Sequence, residues 1–141
     1  MSGIASAQCV LDPITVPAVE GYLVFGFQGK NRIVEKAEVL ILDQHNPQKV
    51  LATTAVNENG YFILRGIKPG KYILSGRSEK LTPAFVDISV IKAKHHAKTP
   101  ENETLVLIML GADTTKECAG ASITVMPKSN VEKLIQSANR K

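Results

Sequence analysis

Tryptophan is absent, and aromatic residues make up only 5% of the 141 residues. Sugar-binding and base-stacking surfaces need exposed flat rings, so neither carbohydrate nor nucleic acid is the expected ligand. A carbohydrate-binding domain is the weakest of the alternatives kept open. Long apolar runs are missing too. The longest, Leu105-Val106-Leu107-Ile108-Met109-Leu110, falls far short of the roughly 20 residues that span a bilayer as a helix. It fits a buried strand, and no transmembrane segment is expected. Catalytic spacings are equally scarce. Ser75-Gly76-Arg77-Ser78 does not match the G-x-S-x-G elbow, and no H-E-x-x-H pair exists to hold a catalytic zinc. Gly66 to Tyr72 is one residue short of a phosphate loop and lacks the Ser or Thr after Lys71, so it reads as a turn. The expectation is a protein that is not an enzyme and carries no cofactor or metal.

Charge is not concentrated in blocks. The formal net charge is +4 and the pI about 9.1, spread along the chain. The densest patch is Lys92, Lys94, His95, His96 and Lys98, with a second at Arg140-Lys141. A solvated surface accounts for this better than a polyanion-binding one, although the first patch is a candidate protein-interaction surface. His95 and His96 are adjacent, so on an extended chain they would face opposite sides. Neighbouring lysines would also repel a cation.

Only two cysteines occur, Cys9 and Cys118, and they flank the strand-rich region. An even count at both ends suggests a staple between the first and last segments, worth at most ~4–5 kcal/mol for so long a loop. A staple would require an oxidising compartment. The alternative is two unrelated buried thiols. Ala5-Ser6-Ala7 before Gln8 matches the A-x-A pattern of a signal-peptidase site. Together these place the protein outside the cytoplasm, secreted or periplasmic, with a signal peptide removed. Asn102-Glu103-Thr104 is a formal glycosylation sequon with chance as its default explanation.

What the chain does contain is short apolar stretches broken by turn signals, with 44% hydrophobic residues. This is one domain with its own core, in an all-β pattern. Residues 1–19 read as an extended lead-in, 20–127 as a β-sandwich domain and 128–141 as a helical tail. Seven strands are expected: 21–27, 35–43, 51–56, 61–65, 72–77, 85–91 and 104–110. Their core-facing residues are Val39, Ile41, Phe62, Leu64, Ile67, Tyr72, Leu74, Val86, Ile88, Val106 and Ile108. Asn59-Gly60 marks a tight hairpin, because this pair tolerates positive φ at both central positions. Pro69-Gly70 fits a type II turn, with positive φ at the glycine. Gln28 to Asn31 and His45-Asn46-Pro47 are looser turns. In the tail, Ser129 and Glu132 fit a capping box. Val131, Leu134, Ile135 and Ala138 follow as one apolar helical stripe. Such a stripe most often packs on its own domain.

The segment TTAVNENGYFILRGIKPGKYIL, Thr53 to Leu74, resembles a recurring pattern of the carboxypeptidase regulatory-like family. Thr54, Glu58, Gly60, Phe62, Leu64, Ile67, Pro69, Gly70, Tyr72 and Leu74 occupy its places. Ala37 to Leu42 resembles its upstream strand, while the strand glycine could be either Gly21 or Gly26. The resemblance covers about residues 20–110. It implies a transthyretin-like, Greek-key sandwich of about seven strands, of the kind appended without catalytic function to secreted and surface proteins. Some transthyretin-like proteins hydrolyse a purine-derived substrate, but their C-terminal Tyr-Arg-Gly-Ser signature is missing here.

Two functions of different class follow. The first is a structural or protein-interaction module, binding another protein or a cell-envelope component through an exposed strand edge or the basic patch. The second is a small-ligand binder or hydrolase on a transthyretin-like oligomer, which requires a central cavity with converging polar groups. Oligomeric state is not legible.

Overall fold

A computed structural model of the chain describes residues 12–27, 30–34, 36–79, 81, 83–92, 103–111 and 121–139. It is an all-β sandwich with one short C-terminal helix. Among the described residues ten strands occur: β1 (Ile14–Val16), β2 (Val19–Phe27), β3 (Lys30–Ile33), β4 (Ala37–Asp43), β5 (Val50–Ala55), β6 (Tyr61–Leu64), β7 (Gly70–Ser78), β8 (Ala84–Val90), β9 (Thr104–Leu110) and β10 (Ser122–Pro127). The helix α1 is Lys128–Asn139. The first sheet, sheet A, runs β1-β8-β7-β4-β5. The second, sheet B, runs β10-β9-β2-β3, and β6 also pairs with β2.

All seven expected strands are present, with ends displaced by at most two residues. β1, β3 and β10 are additional. β1 lies inside the stretch expected as a lead-in, and pairs in parallel with β8 from Ile14↔Ile88 to Val16↔Val90. β3 and β6 share one flank of β2, with Val24↔Ile33 and Tyr22↔Tyr61 as neighbouring pairs.

Strand alternation sends one face of each sheet into a common core. Val39, Ile41, Leu74, Val86 and Ile88 come from sheet A; Leu23, Phe62, Leu64, Val106, Ile108 and Ile123 come from sheet B. Of the expected core, Ile67 and Tyr72 are only partly buried and pack against its margin. Gly21 sits where β2 and β9 approach each other closely. A Cβ there would lie 1.8 Å from the Val106 carbonyl oxygen on β9, so no side chain fits.

A strand as continuously apolar as β9 needs cover on both faces. β9 sends Val106, Ile108 and Leu110 inward, while Leu105 and Leu107 point the other way. α1 covers that second face. Val131 and Ile135 are buried against Val24, Leu105 and Leu107, with Leu134 alongside. The helix therefore packs on its own domain. It begins at Lys128, one residue before the expected cap, so Ser129 sits in its first turn. Its start is tied to β9 instead. The Lys128 backbone N–H donates to the Glu103 carbonyl at 3.0 Å, and its ammonium pairs with the Glu103 carboxylate at 3.2 Å. The Glu103 carboxylate raises the Lys128 pKa.

Two turn expectations need correction. Asn59-Gly60 is not the centre of a hairpin. β5 belongs to sheet A and β6 to sheet B, so the turn carries the chain from one sheet to the other. Gly60 has φ 84°, but Asn59 has no positive φ. The Gly60 N–H donates to the Asn57 carbonyl at 2.9 Å, and Asn57 Oδ1 accepts from the N–H groups of Asn59 and Tyr61. The result is a turn over 57–60 closed by a left-handed glycine, as in three-residue connections. Pro69-Gly70 is not a type II turn either. Gly70 has φ 159° and already pairs with Val90 at the start of β7. The left-handed residue of that connection is Gly66, at φ 76°. The Tyr72 hydroxyl then donates to the Lys68 carbonyl at 2.6 Å, bracing the entry to β7. The loop between β4 and β5 is held by Asp43, whose Oδ1 accepts from the backbone N–H of His45 at 2.8 Å and of Asn46 at 3.2 Å. The first of these is the main cause that lowers its pKa.

Candidate functional site

The expected site residues fall unevenly. Asn59, Gly60, Pro69 and Gly70 lie in the two connections that cross between sheets, which is an architectural role. Lys92 is exposed just beyond β8. Cys9, Cys118, Lys94, His95, His96 and Lys98 lie outside the described residues, as do Ala5 to Ala7 and Asn102.

Sheet A carries the features open to a partner. β5 pairs with β4 and, among the described residues, with no strand on its other side. Its sequence, VLATTA, holds no charged residue and no proline. Those are the usual guards of an exposed edge, because a row of unpaired backbone groups otherwise invites another strand. Val50 is 49% exposed and Leu51 44%. One guard is present. The register shifts between Ile41 and Leu42, so Leu51 is an extra residue where Leu42 pairs with Val50. Such a bulge bends the strand locally. From Ala52 to Ala55 the pairing is regular.

Beside this edge, the outer face of sheet A is concave. A pocket of about 540 Å³ lies there. Leu40 and Leu42 form its floor, and both are buried although they point away from the sandwich core. Val50, Leu81 and Phe85 stand around them, with Arg77 at the rim. The pocket is thus on the outside of one sheet.

Ser75 sits in the middle of the floor. Cross-strand pairing places it directly between Leu40 on β4 and Phe85 on β8. It is the one buried polar residue among those described, at 2% exposure. Its backbone is committed to the sheet ladder, and its hydroxyl has no hydrogen-bond partner among the described residues. A buried hydroxyl left unpaired costs about 1–3 kcal/mol. Charge at the rim is balanced. Arg77 Nε donates to Glu38 Oε1 at 2.6 Å, across the β4–β7 pair Glu38↔Arg77. Both side chains are about half exposed, so this pair contributes little to stability.

A second polar cluster lies on sheet B. The Tyr61 hydroxyl donates to Glu20 Oε2 at 2.5 Å, and the Tyr61 and Tyr22 rings meet edge to face at 5.5 Å. Burial, then the Glu20 bond, pushes the Tyr61 pKa up to about 12. Burial also raises that of Tyr22, with Glu132 adding to it. These contacts tie β6 to β2 and need no ligand to explain them.

The pocket was not anticipated, yet a signal for it exists. Val39-Leu40-Ile41-Leu42 is a continuous apolar run, whereas a strand with one wet face alternates. Both faces of β4 had to be shielded. Compared with known proteins, the chain matches no family model, no curated protein and no solved structure.

Proposed function

We propose that the chain is a non-catalytic, extracytoplasmic module of the transthyretin-like, Greek-key kind, acting in protein interaction or in cell-envelope or surface scaffolding. Its partner is another protein or an envelope component, not nucleic acid. The observation that carries this reading is the uncharged β5 edge with Val50 and Leu51 exposed. An extended segment of a partner can add there as a sixth strand of sheet A, with main-chain hydrogen bonds supplying affinity. The motif from Thr54 to Leu74 supports the family assignment. So does the Tyr72 hydroxyl bonded to the backbone four residues upstream, a device of Greek-key sandwiches. Export rests on Cys9 and Cys118 and on Ala5-Ser6-Ala7.

The test is photo-cross-linking in the native compartment from a reactive residue placed at Thr53, compared with one at Glu132 on the exposed side of α1. A discrete adduct from position 53, lost when Leu51 is changed to Lys, is expected. Adducts from Glu132 alone would move the contact to the other face and overturn the edge reading.

A further inference from the structure

We infer that the pocket on the outer face of sheet A is a binding site for a neutral, largely apolar small molecule bearing a hydrogen-bond acceptor such as a ketone or amide carbonyl. The site adjoins the β5 edge through Val50, but its argument does not depend on strand addition.

Three observations define the ligand. The first is shape and polarity. The pocket of about 540 Å³ falls within the range of small-molecule sites, and Leu40, Leu42, Val50, Leu81 and Phe85 make it mainly apolar. Leu40 and Leu42 are 3% and 6% exposed on a face that a simple sandwich would leave to water. Phe85, 49% exposed, lines the pocket with apolar surface that a guest can cover.

The second is Ser75. Its hydroxyl lines the floor, is almost wholly buried, and has no partner among the described residues. A hydrocarbon guest would leave it unpaired and further from water. A carbonyl oxygen would accept a hydrogen bond from it between Leu40 and Phe85, with Gln48 and Ser78 the other uncharged polar residues of the lining.

The third is charge. The charged pair at this end of the site, Arg77 and Glu38, is bonded internally at 2.6 Å. A carboxylate guest would meet a guanidinium already half used and a carboxylate beside it. It would lose its hydration without a matching gain. The chemistry therefore selects against anions and against pure hydrocarbons.

Prodan, a neutral naphthyl ketone whose emission reports its surroundings, is the probe. The anionic anilinonaphthalene sulfonate is the comparator. Expected are saturable one-to-one binding of prodan with blue-shifted emission, and amide-resonance shifts centred on Leu40, Ser75 and Phe85. The sulfonate should bind at least about tenfold more weakly. Ser75→Ala should weaken prodan about fivefold, the share of one neutral hydrogen bond. Ser75→Leu should abolish binding by filling the floor. Phe85→Ala, at a half-exposed wall, should weaken it without unfolding the domain. Thr124→Lys, at an exposed position of β10 in the other sheet, should leave it unchanged. Equal affinity for the sulfonate, shifts centred on the α1 side, or full binding by folded Ser75→Leu protein would each overturn the assignment.

Discussion

Phe62→Ala tests which face of β6 points inward, because Phe62 and Leu64 are the residues that β6 contributes to the common core. Phe62 is 1% exposed and pairs with Gly21 on β2. A buried phenylalanine hides roughly 150–250 Å². Truncation to alanine returns about 120 Å² of that burial, or ~3 kcal/mol at ~25 cal/mol per Å². The cavity left behind brings the cost to ~3–5 kcal/mol. For a chain of this size the urea slope is about 2 kcal/mol per molar, so the midpoint should fall by about 1.5–2.5 M. Phe85→Ala is the matched control. It removes the same atoms from a side chain that is already 49% exposed, so its cost should stay below ~1.5 kcal/mol. Equilibrium urea unfolding, followed by far-ultraviolet circular dichroism, measures both. Equal midpoint shifts for the two variants, or no shift for Phe62→Ala, would refute the placement of β6.

Val131→Asp puts a charge where α1 meets Val24, Leu105 and Leu107, and should cost at least ~3 kcal/mol in the same assay. An unchanged midpoint would mean the helix is not docked. Tyr61 should ionise near pH 12 rather than 10, visible as a late step in tyrosinate absorbance. Its folded pKa lies above the unfolded one, so the stability it confers is complete below about pH 10 and is lost as pH rises toward 12. Tyr61→Phe should flatten that decline, and a decline of equal slope would contradict the assignment. Intact mass after thiol alkylation should show Cys9 and Cys118 blocked only after reduction. Two free thiols in protein from its native compartment would withdraw the argument for export and favour a cytosolic adaptor.

The legible part of the fold is what local pattern encodes. Alternation in Phe62-Ile63-Leu64 and Ala84 to Val90 identified strands and their inward faces, and Val131, Leu134 and Ile135 identified the helix stripe. Two of the three missed strands have weak local signals. β1 is three residues between Pro13 and Pro17, and β3 is the polar run KNRI. β10, SITVMP, did alternate, with Ile123 buried and Thr124 exposed, so its signal was present. Turn chemistry was informative about where the chain bends but not about where it goes. Asn59-Gly60 bends as expected and leads to the other sheet, because strand partners are chosen by long-range packing. The same limit applies to the site. That some edge would be open was foreseeable, but which strand lies outermost depends on the order β1-β8-β7-β4-β5. The pocket depends on Leu40, Ser75 and Phe85 meeting across three strands, of which β4 is distant in the chain from β7 and β8.

The most direct test of the interaction reading is amide hydrogen exchange across residues 50–55, measured on the domain alone and with its cross-linked partner protein at saturation. Strand addition should slow alternate amides of β5 by at least about tenfold, with little change in β10, and Leu51→Lys should abolish the protection. Unchanged exchange at 50–55 in a saturated complex would contradict the edge as the docking surface.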